Sequence, residues 1–167
     1  DLSHKPYIVD VDMVLTKEKY MTTAEFKTLY FDPFLVIVKK YFPKIECTVL
    51  RRPFLVKKPW KTDKSKIIWK DGFHIIFNGI TVTKNVAKKI RSTFLKGGGV
   101  KQLIDVMPVI DTEELIDTKV IPIGANCTVV APGRKKEYSE SYLPIICQDG
   151  NDTETFELSD PESKEHS

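Results

Sequence analysis

The first hydrophobic run of the chain, residues 7–14, is apolar except at Asp10 and Asp12, which occupy alternate positions. Side chains two positions apart on a β-strand point to the same side of the sheet. The run therefore predicts a short strand that carries both carboxylates on one face.

Helical patterns follow this first strand and recur in the middle of the chain. Thr22 and Glu25 have the spacing of a capping box, in which each side chain accepts a hydrogen bond from the other residue's backbone N–H group. Asp32-Pro33 suits either a second helix start or a kink. Thr83 is placed to cap a further helix over about residues 84–95, which is followed by glycines that end it.

Runs rich in β-branched and aromatic residues predict the other strands. They span residues 47–50, 67–69, 73–77, 115–117, 128–131 and 142–146, and a short helix is expected near residues 100–107. Asp71-Gly72 has the composition of a tight hairpin turn between the second and third of these runs. The mixed order of helices and strands, with no internal repeat, predicts an α+β fold.

Length and charge divide the chain in two. With 167 residues, of which 41% are hydrophobic, the chain is able to bury one core. Residues 149–167 contain seven acidic residues and Lys164 as their single Lys or Arg, so this stretch is predicted to be a disordered tail or linker. Residues 1–148 contain 25 basic and 16 acidic residues, a net charge of +9, which predicts a polyanionic partner.

Composition also narrows the compartment of the protein. No stretch approaches the roughly 20 apolar residues that span a bilayer, so we expect no membrane span and an intracellular location. Cys47, Cys127 and Cys147 are odd in number and show no CxxC spacing. They are therefore expected to be reduced thiols rather than parts of a disulfide framework or a zinc site.

Acidic residues provide candidate metal ligands. Asp10 and Asp12 would lie within reach of one or two hard cations, and two neighbouring carboxylates are costly to hold together without one. A third carboxylate would come from Asp105, Asp111 or Asp117, and spacing alone does not choose among these. Asp117 ends an apolar run, which is the better placement for a site at the end of a strand.

Basic and aromatic residues provide a candidate surface for nucleic acid. Residues 39–70 contain eleven basic and two acidic residues, interleaved with tryptophan, tyrosine and phenylalanine. Cations neutralise phosphates and aromatic rings stack on bases, so this mixture is typical of a nucleic-acid path. Its expected DNA-binding residues are Lys57, Lys58, Lys61 and Lys64. A second cluster, Arg134-Lys135-Lys136, has the charge to hold a triphosphate.

A histidine opens the clearest strand after the first one. His74 follows Gly72-Phe73, shares a face with Ile76 and points away from the apolar face of that strand. A lone histidine is more often structural than functional, so the interpretation of His74 depends on the motifs around it.

In chain order these motifs are Asp-Val-Asp on the first strand, Gly-Phe-His opening a later strand, an Ile-Asp, and a Gly-Arg-Lys turn. That order resembles the archaeo-eukaryotic primase superfamily, in particular the primase-helicase replication proteins of large DNA viruses such as poxviruses and asfarviruses. The most specific segment is residues 70–77, Lys-Asp-Gly-Phe-His-Ile-Ile-Phe, which is similar to the histidine motif of those proteins. The resemblance extends from Tyr7 to Ile146.

The resemblance implies a fold, an activity and partners. The fold would be an RRM-like antiparallel sheet with helices on one face, joined to a second small α/β part. The activity would be template-directed nucleotidyl transfer by a DNA primase-polymerase, with nucleoside triphosphates and a single-stranded or primed DNA template as substrates. A superfamily 3 helicase would accompany the domain in the full-length protein.

The resemblance also implies the residues of the site. Magnesium or manganese would be held by Asp10, Asp12 and Asp117, with Asp111 as the other candidate for the third ligand. The incoming nucleotide would be bound through its phosphates by His74, Lys66, Arg134 and Lys135.

Two other functions remain open on the sequence. Residues 10–16, Asp-Val-Asp-Met-Val-Leu-Thr, also fit the first motif of haloacid-dehalogenase-type phosphatases, in which the first acid is a nucleophile and the second a general acid. Such an enzyme needs a doubly wound parallel sheet and a later acidic motif, and neither is predicted. A non-catalytic nucleic-acid-binding module is the second alternative. It leaves the paired aspartates unexplained, because acids beside a phosphate path repel the phosphates.

Overall fold

The strand predicted around Asp10 and Asp12 forms β1, Lys5–Leu15, which belongs to a seven-stranded sheet. The computed structural model describes residues 3–109, 142–159 and 163–165. The other strands are β2 (Glu46–Arg51), β3 (Val56–Pro59), β4 (Ile67–Val82), β5 (Leu143–Asp149), β6 (Asp152–Thr155) and β7 (Lys164–Glu165). They follow the order β6-β5-β2-β4-β3-β7, and β1 pairs with β4.

The sheet is mostly antiparallel. Among the described strands only β3 and β7 run parallel, and every other pair is antiparallel. This topology confirms the predicted α+β fold. The described strands all belong to this one sheet, so the doubly wound parallel sheet that a haloacid-dehalogenase-type phosphatase requires is contradicted. The predicted strands at residues 115–117 and 128–131 lie outside the described residues.

The helices are α1 (Thr23–Phe26), α2 (Asp32–Val38), α3 (Lys84–Lys96) and α4 (Lys101–Val106), with a π-helical turn over Lys27–Phe31 that joins α1 to α2. Proline has no N–H group to donate within a helix. Pro33 lies at the start of α2, directly after this wider turn, so the kink expected at Asp32-Pro33 takes the form of a π-helical turn.

The predicted helix starts are confirmed by their caps. The Thr22 hydroxyl accepts a hydrogen bond from the Glu25 N–H group at 3.1 Å, and the Glu25 carboxylate accepts one from the Thr22 N–H group at 3.0 Å. The Thr83 hydroxyl accepts from the Val86 N–H group at 3.3 Å, and α3 ends before Gly97. Local sequence therefore decided both starts.

Aromatic rings fill the space between the helices and one face of the sheet. The Phe73 ring of β4 stacks on Phe26 with a centroid distance of 4.0 Å, and Phe34 contacts Phe94 of α3 edge to face at 5.1 Å. These side chains are all buried. Because neighbouring residues of a strand point to opposite faces, the residues between the core positions of β1 and β4 lie on the other face of the sheet.

One turn prediction is wrong. Asp71-Gly72 does not form a hairpin turn, because β4 continues through both residues from Ile67 to Val82. The Asp71 carboxylate is buried and accepts a hydrogen bond from Arg51 Nε at 3.2 Å, with a second contact from Arg51 Nη2. An ion pair with the neighbouring strand thus satisfies a residue that would otherwise favour a turn.

Part of the acidic segment, residues 149–167, pairs with the sheet, while the division of the chain at residue 149 stays a prediction. β5 extends to Asp149, β6 pairs back onto β5, and the Glu157 carboxylate accepts a hydrogen bond from the Thr23 N–H group at 3.0 Å. β7 adds to the edge of β3. Addition to a sheet edge depends on backbone hydrogen bonds, which composition does not report.

No helix in the described ranges is long and apolar enough to cross a membrane. Cys47 and Cys147 are free thiols, as predicted, and Cys127 lies outside the described residues. Burial raises the pKa of Cys47 to about 12, so this thiol stays protonated at neutral pH.

Candidate active site

The structure brings Asp10, Asp12 and His74 together on the sheet face that points away from the helices. Asp10 lies opposite His74 and Asp12 opposite Gly72 in the antiparallel pairing of β1 with β4. Val9, Val11 and Met13 alternate with the two acids and are fully buried in the core. The alternation predicted from the sequence thus places both carboxylates on one face.

Asp10 and His74 are in direct contact. The His74 Nε2 atom lies 3.1 Å from Asp10 Oδ1, and the side chains of His74 and Asp10 are 5% and 43% exposed. The imidazole is therefore held by the sheet while the carboxylate still reaches solvent. The buried His74 imidazole and the partly exposed Asp10 carboxylate thus lie side by side.

Tyr142 covers the other side of the histidine. Its ring stacks on the His74 imidazole with a centroid distance of 4.2 Å and an interplanar angle of 4°. The Tyr142 hydroxyl accepts a hydrogen bond from Arg52 Nη2 at 3.4 Å. Burial raises the pKa of Tyr142 to about 12, and Asp12 and Asp10 add to this rise while Arg52 opposes it. Tyr142 is consequently neutral at physiological pH.

Gly72 lies at the centre of this group. A Cβ atom at residue 72 would lie 2.8 Å from the Tyr142 hydroxyl oxygen, 3.5 Å from Asp12 Oδ1 and 3.6 Å from Arg52 Nη2. A glycine inside a strand often marks a close approach of another group. Here the absent side chain leaves room for the tyrosine hydroxyl next to the acids.

Basic residues lie beside the acid pair. Burial lowers the pKa of Lys70, Asp12 opposes that shift, and the positive charges of Lys58, Arg52 and Lys61 lower the pKa further. Lys70 and Lys58 also share the face of Asp12, because Lys70 lies opposite Val14 of β1 and Lys58 lies opposite Ile68 of β4. One end of the site is therefore cationic.

The four lysines predicted to bind DNA do not all share one face. Lys58 is on the face of the acids, whereas Lys57 is on the other face, 3.5 Å from the Glu165 carboxylate and next to the Trp69 ring. Lys61 and Lys64 are exposed in the loop between β3 and β4. Lys66 closes this loop, with its ammonium group 5.9 Å from the centroid of the Trp60 ring.

Four of the predicted site residues, Asp111, Asp117, Arg134 and Lys135, lie outside the described residues. Asp105 is exposed on α4 and lines an open groove with Lys17 and Lys19. Within the described ranges, no group of three or more His, Cys, Asp or Glu side chains gathers as a metal site would.

Sequence reasoning did not single out Arg52, Lys70 or Tyr142 as parts of the site. Arg52 was one of many basic residues in residues 39–70, and Tyr142 was only the start of a predicted strand. The usable signal was Gly72, because a glycine within a strand pattern indicates a close contact as well as a turn. Its partner in that contact, Tyr142, is distant in sequence, so only the tertiary structure identifies it.

Two aspartates and a histidine lie on neighbouring antiparallel strands with cations beside them, and the family match places this chain in the archaeo-eukaryotic primase (AEP) class. The family model described as the C962R protein N-terminal AEP domain matches residues 2–143. The chain therefore belongs to this family, and membership supports a primase-polymerase type of function in replication. No curated protein and no solved structure matches the chain significantly.

Proposed function

We propose that this domain catalyses metal-dependent, template-directed nucleotidyl transfer, joining a nucleotide to the 3′-hydroxyl of a growing strand with release of pyrophosphate. The observation that supports it most directly is the contact of His74 with Asp10, which lies next to Asp12 on one face of the sheet. Family membership supports the same class of chemistry.

The acid pair has the chemistry that a hard cation needs. Magnesium is commonly bound through one or two carboxylates together with substrate phosphates, so Asp10 and Asp12 fit such an ion. Asp117, or Asp111 in its place, is the proposed third ligand. When bound, magnesium or manganese would stabilise the attacking and leaving oxygens of the transfer.

The other side chains bind and orient the substrates in this proposal. His74 supplies a hydrogen-bond donor for the triphosphate, because its Nε2 atom points to the acid pair, 3.1 Å from Asp10 Oδ1. Lys66, Arg134 and Lys135 supply countercharge for the nucleotide. Lys58, Lys61 and Lys64 neutralise the phosphates of a single-stranded or primed template next to the site, and Lys57, on the opposite face, is the fourth lysine of the proposed DNA-binding set.

Membership also suggests a setting for the activity. We propose that the domain acts in an intracellular replication assembly of a large DNA virus, together with a superfamily 3 helicase. Co-purification of full-length protein with helicase activity is the direct test of that partner.

His74→Ala is expected to lower the kcat/KM for nucleotide incorporation by about 10–100-fold, since a hydrogen bond to a charged group contributes roughly 1.5–3 kcal/mol. DNA affinity should stay near the wild-type value because the basic surface is unchanged. Primer extension at varied nucleotide concentration, with fluorescence anisotropy for DNA binding, measures both quantities.

The exposed His4 provides the matched control, and His4→Ala should behave as wild type. A phosphomonoesterase assay in the same magnesium buffer separates the two enzyme classes. Phosphoester turnover that does not depend on His74, combined with no primer extension, would overturn the primase assignment.

Replacing Lys57, Lys58, Lys61 and Lys64 together by alanine should weaken DNA binding and flatten its salt dependence. On single-stranded DNA, removing one cation that neutralises a phosphate changes the log-log slope by about 0.7. Three of these lysines are on the site face or its adjoining loop, so the expected change in slope is about 2. Anisotropy titrations over a range of salt concentrations give the slope.

The matched control removes the same number of charges from the helix side of the sheet. It uses four exposed residues of α3, namely Lys84, Lys88, Lys89 and Lys96. This variant should change the slope by less than about 0.7. Equal flattening in both variants would show that net charge, rather than a local path, governs binding.

A further inference from the structure

The stacked pair of His74 and Tyr142 is buried without being part of the core under the helices. Tyr142 and His74 are 2% and 4% exposed, yet neither belongs to the main hydrophobic cluster. Packing in that cluster therefore does not explain why a tyrosine is placed flat on this imidazole.

Tyr142 is itself held at its far end. Arg52 donates from Nη2 to the Tyr142 hydroxyl, and the Arg52 backbone N–H group donates to the Gly72 carbonyl oxygen at 3.0 Å. Arg52 directly follows β2 and Tyr142 directly precedes β5, and the adjacent residues Arg51 and Leu143 pair in the sheet. The hydroxyl is thus fixed between Arg52 and Gly72.

A side chain at residue 72 would move the tyrosine. The atom nearest to a Cβ placed on Gly72 is the Tyr142 hydroxyl oxygen at 2.8 Å, a distance that forces a shift. That oxygen ends a rigid ring stacked on His74, so the shift would be passed to the imidazole. The contacts with Asp12 and Arg52, at 3.5 Å and 3.6 Å, are ordinary van der Waals distances.

We propose that Tyr142 is a positioning residue that sets the plane of the His74 imidazole, with Arg52 fixing the tyrosine hydroxyl and Gly72 leaving room for it. The inference rests on the proposed function of His74 as a donor to the nucleotide phosphates. A donor that rotates out of its direction loses much of its effect, because catalysis depends on orientation within small tolerances.

Substitutions at Tyr142 separate the stack from the hydroxyl. Tyr142→Leu removes the stacked ring and should lower kcat/KM for nucleotide by about 10-fold or more, mainly through KM. Tyr142→Phe keeps the stacked ring and loses only the long hydrogen bond from Arg52, so its kcat/KM should fall by about 3-fold, clearly less than that of Tyr142→Leu. DNA affinity should be similar for both variants, and thermal melting confirms that Tyr142→Leu, which truncates a buried side chain, is folded at the assay temperature. Equal kcat/KM for nucleotide in the two variants would overturn the proposal.

A double-mutant cycle tests the role of Gly72. Gly72→Ala alone should lose activity to a similar extent as Tyr142→Leu, because the added methyl group displaces the hydroxyl. In a Tyr142→Phe background, Gly72→Ala should reduce kcat/KM much less, because the hydroxyl oxygen that its methyl group would displace is absent. Additive losses, with no rescue in the double variant, would contradict the proposed coupling.

A readout without catalysis keeps this inference distinct from the proposed function. A tyrosine stacked at 4.2 Å shifts the imidazole proton resonances of His74 through its ring current. NMR of the chain, with His74→Ala for assignment, should show this shift in wild type and Tyr142→Phe and its loss in Tyr142→Leu and Gly72→Ala. An unchanged spectrum in those two variants overturns the positioning role. A normal NMR result with no incorporation by wild type instead overturns the proposed function.

Discussion

Under the proposed function, Asp10→Asn and Asp12→Asn should each reduce template-directed nucleotide incorporation by at least about 10²–10³-fold, since removing a proposed metal ligand withdraws several kcal/mol of transition-state stabilisation. Both side chains point away from the core, so the variants should remain folded. DNA affinity should be unchanged or higher, because a negative charge next to the phosphate path is removed. Primer extension, thermal melting and anisotropy measure the three quantities.

Asp105→Asn is the control for these variants, because it removes an exposed carboxylate on α4 beside a separate groove. It should extend primers as wild type does. Wild-type incorporation by either Asp10→Asn or Asp12→Asn would show that the metal assignment is wrong. If the wild-type chain and both variants bind DNA with equal affinity and none of them incorporates nucleotides, the domain is a non-catalytic binding module.

The same assay chooses between the two candidates for the third ligand. Asp117→Asn should reduce incorporation to the level of the Asp10 variant, and Asp111→Asn should leave it near wild type. The reverse result would assign the third ligand to Asp111. Wild-type incorporation by both variants would show that the third acid of the proposed site is incorrect.

The second large effect is expected at the buried ion pair of Arg51 and Asp71. Their side chains are 0% and 1% exposed, and Arg51 also donates to the Met21 carbonyl oxygen and lies over the Tyr20 ring. Arg51→Met leaves the Asp71 carboxylate buried without its partner. This should lower the free energy of unfolding by about 3–5 kcal/mol, which urea denaturation followed by circular dichroism measures.

An exposed ion pair of the same chain provides the comparison. Lys27 and Asp32 are 2.9 Å apart on the surface, with side chains 32% and 48% exposed. Exposed pairs contribute roughly 0.2–1 kcal/mol, so Lys27→Ala should have a small effect. Adding Asp71→Leu to Arg51→Met should recover part of the loss, because no uncompensated charge remains buried. Equal effects of Arg51→Met and Lys27→Ala would refute the structural role of the buried pair.

Features that depend on neighbouring residues could be predicted from the sequence. The strand with Asp10 and Asp12 on one face follows from a two-residue periodicity, and the helix starts at Thr22 and Thr83 follow from local capping hydrogen bonds. The strand that carries His74 was visible for the same reason. These patterns act over a few residues, so the chain around them had little influence on the result.

Features that depend on distant partners could not be predicted. Asp71-Gly72 has the composition of a turn, yet Arg51 pairs with the aspartate and Tyr142 occupies the space that a side chain at residue 72 would need. Both partners arrive from other parts of the sheet, and Arg52 and Tyr142 meet although they are 90 residues apart. The acidic segment likewise joins the sheet through backbone pairing with β5 and β3. Contacts of this kind arise from strand register, and a pattern read along one segment carries no information about the register of another.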